Sequence, residues 1–345
     1  MKYNRIKKEL LQNQKTWLVT GVAGFIGSNL AEALLKLNQK VISLDNFATG
    51  HAYNLEHIQS SVTKEQWKLF TFSKGDITNF ETCQKITKNV DIVLHQAALG
   101  SVPRSIDTPV ISNHANVTGF LNMLTASKDN GVKRFVYASS SSVYGDSQEL
   151  PKVEASTGNL LSPYAVTKYV NELYMGVFQK CYGMEAIGLR YFNVFGKRQD
   201  PNGAYAAVIP KWIGQILKGE DLFINGDGET SRDFTYIENV IQANILAGTT
   251  NNTEAFGQAF NTAIGGRETL NNLYSAIVKE LEQKVPELTI KNAIYRDFRA
   301  GDIRHSNANI NKMKELLGYE PTHSLEKGLS ESITWYINDI KGESK

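Results

Sequence analysis

Cysteine is scarce in this chain, with only Cys83 and Cys181 among 345 residues. The two show neither CxxC nor metal-ligand spacing, argue against a disulfide framework and point to a reducing compartment. The six histidines, His51, His57, His95, His114, His305 and His323, form no HExxH pattern, so metal catalysis has no motif to stand on. An excess of one charge sign is missing too. With 37 basic and 35 acidic residues the net charge is +2, and no basic block interleaved with aromatics invites nucleic acid. No apolar run is long enough to span a membrane, or to form a signal peptide behind the basic start "MKYNRIKKELLQNQK". These gaps lead us to expect a cytoplasmic protein without metal, membrane or nucleic-acid partner. What remains, 41% hydrophobic and 21% charged residues, is the composition of a soluble globular protein long enough for two lobes.

Residues 1–15 read either as a short amphipathic helix using Ile6, Leu10 and Leu11 or as a solvated tail. From Thr16 onward, apolar β-branched runs alternate with helical patterns: "TWLVTG", "KVISLDN", "WKLFTFSKGD", "VDIVLHQAA", "RFVYASSS" and "EAIGLRYFNVFG". Continuous apolar strands separated by helices predict an α/β fold, a doubly wound parallel sheet of Rossmann type. After Gly196 the rhythm changes to loop chemistry and scattered helices, expected near 237–248, 269–282 and 325–341. The expected division is an extension over 1–15, a dinucleotide-binding domain over 16–195 and a smaller α/β substrate lobe over 196–345. A segment near 230–265 would return to the first domain. A cleft between the lobes is the natural ligand site.

"VTGVAGFIG" spaces Gly21, Gly24 and Gly27 three apart, between a strand and a helix. The first glycine allows the tight turn, the second lets backbone approach a pyrophosphate, and the third lets helix and strand pack closely. Asp45 ends the next strand, where an acid binds ribose hydroxyls and repels a 2′-phosphate, so NAD is expected rather than NADP. In "SPYAVTK", Tyr164 and Lys168 share a helix face four residues apart. A phenol is a poor base at neutral pH, and an adjacent ammonium together with a cationic nicotinamide ring is expected to lower its pKa.

The GxxGxxG turn resembles that of the extended short-chain dehydrogenase/reductases, and "GDGETSRDFTYIENV" and "RAGD" resemble the UDP-sugar 4-epimerases among them, over nearly the whole chain from Thr16. The resemblance implies cofactor contacts from Phe25 and Ile26 in the turn, Asn46 and Gly50 beyond Asp45, and Asp76 with Ile77. It adds Gln96, Ala97 and Ala98 after His95, then Asn116 and Val194. It makes Ser140, before Val143-Tyr144-Gly145, the third catalytic residue beside Tyr164 and Lys168. It implies substrate contacts at Ser101, Ser140, Ser141, Ser142, Asn193, Ala207, Val208, Phe223, Asn225, Arg232, Arg299, Asp302 and Ser306.

Ser141 and Ser142 stand where the similar dehydratases carry an Asp-Glu pair and the similar decarboxylases a Glu. Dehydration therefore lacks its acid/base pair, and C4 epimerisation remains. At Ser306, epimerases restricted to plain hexoses resemble one another in carrying tyrosine, whereas those for N-acetylated sugars carry a small residue. The expectation is therefore UDP-N-acetylglucosamine/UDP-N-acetylgalactosamine interconversion, plain hexoses included, as in bacterial-type epimerases. A UDP-uronic acid 4-epimerase, with Arg104 beside C6, is the alternative, and an NAD-binding regulator the non-enzymatic one. The resemblance also implies a homodimer through helices near 107–128 and 163–181.

Overall fold

A computed structural model describes residues 1–202, 206–298 and 303–341. Seven strands build the central sheet: Thr16–Thr20, Lys40–Asp45, Phe70–Lys74, Ile92–His95, Arg134–Ser140, Glu185–Tyr191 and Gln258–Thr262. All neighbours pair in parallel, in the spatial order seventh, sixth, fifth, fourth, first, second, third. Interior strands such as "TWLVT" and "IVLH" are buried on both faces, which is why they read as continuous apolar runs rather than alternating ones. The order reverses between the first and fourth strands, where Thr20 lies opposite His95. That reversal opens a crevice at the carboxyl ends of the strands.

The helix Ile237–Thr249, buried on nearly all sides, packs against the sheet, and the strand Gln258–Thr262 that follows it forms one sheet edge. The N-terminal helix Lys2–Gln12 lies against that helix, with Ile6 and Leu10 buried. Leu11, expected on the same face, is 50% exposed. Ile6 and Leu10 are four residues apart and share a face, and one further residue turns the side chain by about 100° away from it. Gln39 fastens this helix by donating Nε2–H to the Leu10 carbonyl (2.7 Å) while its Oε1 accepts from the Trp17 indole (3.1 Å).

Helices such as Phe25–Lys36, Gly119–Asp129 and Pro163–Tyr182 connect the strands, and after Gly196 come short paired strands and the helices Val208–Leu217, Leu270–Lys284, Asn311–Leu317 and Leu325–Lys341. No helix among the described residues is long and apolar enough to cross a membrane.

Candidate active site

The glycine turn sits at the strand reversal. Gly21 has φ +71°, and a Cβ on Gly27 would lie 2.1 Å from the Gly21 carbonyl oxygen, so this approach of helix to turn admits no side chain. Asp45 braces the turn from below: Oδ2 accepts the Ala23 N–H (2.9 Å) and Oδ1 the Phe47 N–H (2.7 Å). Asp76 accepts from Thr78 N–H (2.8 Å), the Thr78 hydroxyl (2.7 Å) and Asn46 Nδ2 (2.8 Å). Burial pushes its pKa up, but these hydrogen bonds prevail and hold the carboxyl below its ordinary value.

A cleft of about 610 Å³ runs past these groups. It is lined by Gly21, Gly24, Phe25, Ile26, Gly27, Asp45, Asn46, Gly50, Asp76, Ile77, Gln96, Ala97, Ala98 and Val194, together with Ser140, Tyr164 and Lys168. A tight glycine cradle at a helix start, with an acid at each of the two following strand ends, suits a dinucleotide with free ribose hydroxyls.

The helix Pro163–Tyr182 is started by Ser162, whose Oγ accepts the Ala165 N–H (3.2 Å), with Pro163 in its first turn. It carries Tyr164 and Lys168 on one face, the ammonium 5.8 Å from the phenol ring centroid. Lys168 Nζ donates to the Ala138 carbonyl (2.7 Å), and burial lowers its pKa to about 8. The protein by itself does not lower the Tyr164 pKa. Burial raises it, against the opposing pull of a hydrogen bond from Ser140. The sequence-based expectation for the phenol therefore needs a charge from the cofactor.

Beyond Asn193 and Val194, which line both spaces, a second cavity of about 370 Å³ opens. Ala207, Val208, Phe223, Asn225 and Arg232 line it. Asn193 has φ +33° and donates Nδ2–H to the Asp233 carbonyl (3.1 Å). The buried Asp233 carboxylate in turn accepts backbone N–H groups from Ile264 (3.2 Å), Gly265 (3.1 Å) and Ala308 (3.2 Å), tying three loops together behind Arg232. Burial outweighs these donors in its pKa, which rises to about 7.

This architecture has relatives. The NAD dependent epimerase/dehydratase family matches residues 17–263. The chain belongs to this family. A UDP-N-acetylglucosamine 4-epimerase of Methanobrevibacter ruminantium, solved with UDP-N-acetylmuramic acid, is 38% identical with a TM-score of 0.85, over 95% of this chain and 99% of its own. A UDP-glucose 4-epimerase of Thermotoga maritima, solved with UDP-glucose, is 33% identical with a TM-score of 0.83, over 94% and 99%. A UDP-glucuronic acid 4-epimerase of Bacillus cereus, solved as a mutant with NAD and UDP-4-deoxy-4-fluoro-glucuronic acid, is 32% identical with a TM-score of 0.80, over 94% and 99%.

Within this epimerase/dehydratase fold, several expected site residues stand behind the walls. Asn116 occupies a π-helical turn, His114–Thr118, and clamps the loop after the fourth strand: Oδ1 accepts the Leu99 N–H (2.7 Å) and Nδ2 donates to the Leu99 carbonyl (3.0 Å). Ser101 caps the short helix Val102–Asp107, and Ser141 and Ser142 form the turn after Ser140; these three, Asn116 and Arg104 line neither cavity. Ser306 donates its N–H to the Ser231 carbonyl (3.1 Å) beside Arg232, and it too lines neither cavity. Arg299 and Asp302 lie outside the described residues.

Among the lining residues that the sequence reading did not name, two carry polar side chains next to expected contacts. Tyr191 reaches the cleft, where its hydroxyl donates to Gln96 Oε1 (3.1 Å) and accepts from Asn244 Nδ2 (2.9 Å). Its place at the carboxyl end of the strand Glu185–Tyr191, two residues before Asn193, was the available signal. Lys211 lines the second cavity with Ala207 and Val208. Its spacing of four and three residues from them gave the same hint.

Proposed function

We propose that this protein is an NAD-dependent C4 epimerase of UDP sugars, interconverting UDP-N-acetylglucosamine and UDP-N-acetylgalactosamine. One observation carries the reading: Ser140, Tyr164 and Lys168 meet in the dinucleotide cleft, which adjoins through Asn193 a second cavity bearing Arg232.

The glycine turn, Asp45 and the Asp76 carboxylate would hold the dinucleotide. When bound, NAD supplies a hydride acceptor and donor for C4 and a positive charge beside the phenol. Tyr164 Oη takes the proton from sugar O4 and later returns it, and its raised pKa falls as positive charge arrives. Ser140 hydrogen-bonds the reacting hydroxyl. Lys168, an ammonium below about pH 8, holds the cofactor ribose and favours the phenolate. Asn193 and Arg232 grip the diphosphate, a dianion suited to a guanidinium fork, while the 4-keto sugar turns between its two faces. Serines at 141 and 142 offer no carboxylate for elimination, which speaks against a dehydratase.

The acetylated pair rests on the small side chain at Ser306, which stands behind the cavity wall beside Arg232 rather than on it, and Arg104, the cation expected beside a uronate, likewise lines neither cavity. Ile106, Val110, Ile111, Val166, Leu173 and Val177 expose apolar side chains on the helices flanking the site, and a homodimer would cover them. A single species of twice the chain mass in light scattering checks this.

The test is incubation of the purified protein with UDP-N-acetylglucosamine and no added cofactor. UDP-N-acetylgalactosamine should accumulate to a fixed ratio. Stoichiometric consumption of added NADH, with no epimer formed, would overturn the reading.

A further inference from the structure

The catalytic helix carries a buried acid that the mechanism above does not use. Glu172 lies one turn beyond Lys168 and two beyond Tyr164, and it is 8% exposed. Its Oε1 accepts the Ser139 hydroxyl (2.5 Å) and Arg190 Nε–H (2.9 Å), while Oε2 accepts from Arg190 Nη2 (2.7 Å). Ser139 immediately precedes Ser140, and Arg190 is its register partner on the adjoining strand.

The helix therefore meets the end of one strand three times at one-turn intervals. Tyr164 bonds the Ser140 hydroxyl, Lys168 the Ala138 carbonyl (2.7 Å), and Glu172 the Ser139 hydroxyl. Ala138, Ser139 and Ser140 all line the cleft with Tyr164 and Lys168, while Glu172 stands behind it and is the acid held in a fork by Arg190.

Arg190 extends the contact outward. Its Nη1 donates to the Tyr144 hydroxyl (3.0 Å), which donates to Asn261 Oδ1 (2.6 Å). Asn261 Nδ2 then donates to the Asn309 carbonyl (3.0 Å), three residues beyond Ser306. One continuous buried chain of hydrogen bonds thus runs from the catalytic helix to the segment that carries Ser306.

We infer that Glu172, held by Arg190 and anchored on Ser139, is a positioning residue that sets the axial register of Tyr164 and Lys168 against Ser140. The inference rests on the epimerase reading above. A buried ion pair adds little net stability, because desolvation offsets attraction, so geometric definition is what it supplies here. Proton transfer needs the phenol within hydrogen-bond reach, and a displacement of about 1 Å can cost roughly 100-fold in rate.

The test compares wild type with Ser139→Ala and Glu172→Gln, measuring kcat, KM for UDP-N-acetylglucosamine, the pH dependence of kcat, NAD affinity by protein fluorescence, and melting temperature. Ser139→Ala removes one bond to a charged group and should lower kcat about tenfold. KM and NAD affinity should stay within about twofold, because the Ser139 hydroxyl, although on the cleft wall, is engaged by Glu172. The acid limb of the pH profile should move upward as the Tyr164–Ser140 bond loosens.

Unchanged kcat in a folded, NAD-binding Ser139→Ala protein overturns the inference, as does a kcat loss fully matched by loss of NAD binding or of folded protein. That comparison decides the matter even if Glu172→Gln fails to fold. Wild-type protein that epimerises no UDP sugar sinks the epimerase reading itself, a result distinct from an active wild type with unaffected variants.

Discussion

Gly27→Ala puts the cofactor cradle under the most direct geometric strain. A Cβ at Gly27 would stand 2.1 Å from the Gly21 oxygen, 2.7 Å from its carbonyl carbon and 3.0 Å from Val22 Cα, where ordinary contact begins at 3.4 Å. Turn and helix would have to part by about 1.3 Å, and all three obstacles are backbone, so no rotamer change relieves them. Overpacking typically costs 1–3 kcal/mol, and a backbone clash belongs at the upper end, about 3 kcal/mol. The displaced groups are the helix-start N–H donors that would face a pyrophosphate on the proposed reading, so the same displacement should weaken NAD binding about 100-fold.

NAD titration by protein fluorescence, the nucleotide content of the purified protein and its melting temperature together check the prediction. Gly176→Ala is the control, since a Cβ there meets nothing within 4 Å. The reasoning fails if Gly27→Ala retains wild-type NAD content and melting temperature.

Three further outcomes follow from the same geometry. Tyr164→Phe should lower kcat by roughly 100- to 10,000-fold while KM and NAD affinity stay near wild type, and a loss under tenfold would remove the phenol as the base. Ser306→Tyr should reduce kcat/KM for the acetylated pair by at least about tenfold relative to the plain hexoses, and equal losses would remove Ser306 as the determinant. Lys168 gives a pH signature in the protein without NAD. Burial holds its folded pKa at about 8 against an ordinary 10.5, so between those values the unfolded chain binds more protons. The burial cost is then full below pH 8 and is relieved as pH rises, by at most about 3 kcal/mol. Urea unfolding of wild type against Lys168→Met should show wild type gaining relative stability across that window, and parallel curves would refute it.

The parts legible in the sequence are those whose meaning is local. Three glycines at three-residue spacing, a phenol and an amine one turn apart, and an acid at a strand end each fix their geometry within one turn or one strand. The structure brings them to one cleft. What stayed illegible depends on partners far along the chain. Gln96 meets Asn244 across 148 residues, and Asn29 meets the Lys197 carbonyl across 168. Glu172 has no local reason to pair with Arg190 18 residues on, until the helix is laid over the strand that carries Arg190. Leu11 was placed with Leu10 because adjacent leucines near the end of a short helix leave open which of them turns inward, and here it is Leu10 that shares the buried face with Ile6.

The direction of the Tyr164 shift exposes a deeper limit. Residue spacing announces an ammonium near a phenol, and nearby positive charge always favours the phenolate. Spacing is silent on burial, and here burial outweighs the rest for Tyr164 and weakens Lys168 as well. A base set above its ordinary pKa in the protein alone, and dependent on a cationic cofactor to come down, is silent until that cofactor is in place. Under the mechanism proposed above, the 4-keto sugar is an intermediate that forms only by hydride transfer to that same cofactor, so one molecule both accepts the hydride and brings the base down. On the proposed reading, the raised phenol and the tight glycine cradle work together: the cradle would keep NAD bound, and bound NAD would make the base competent.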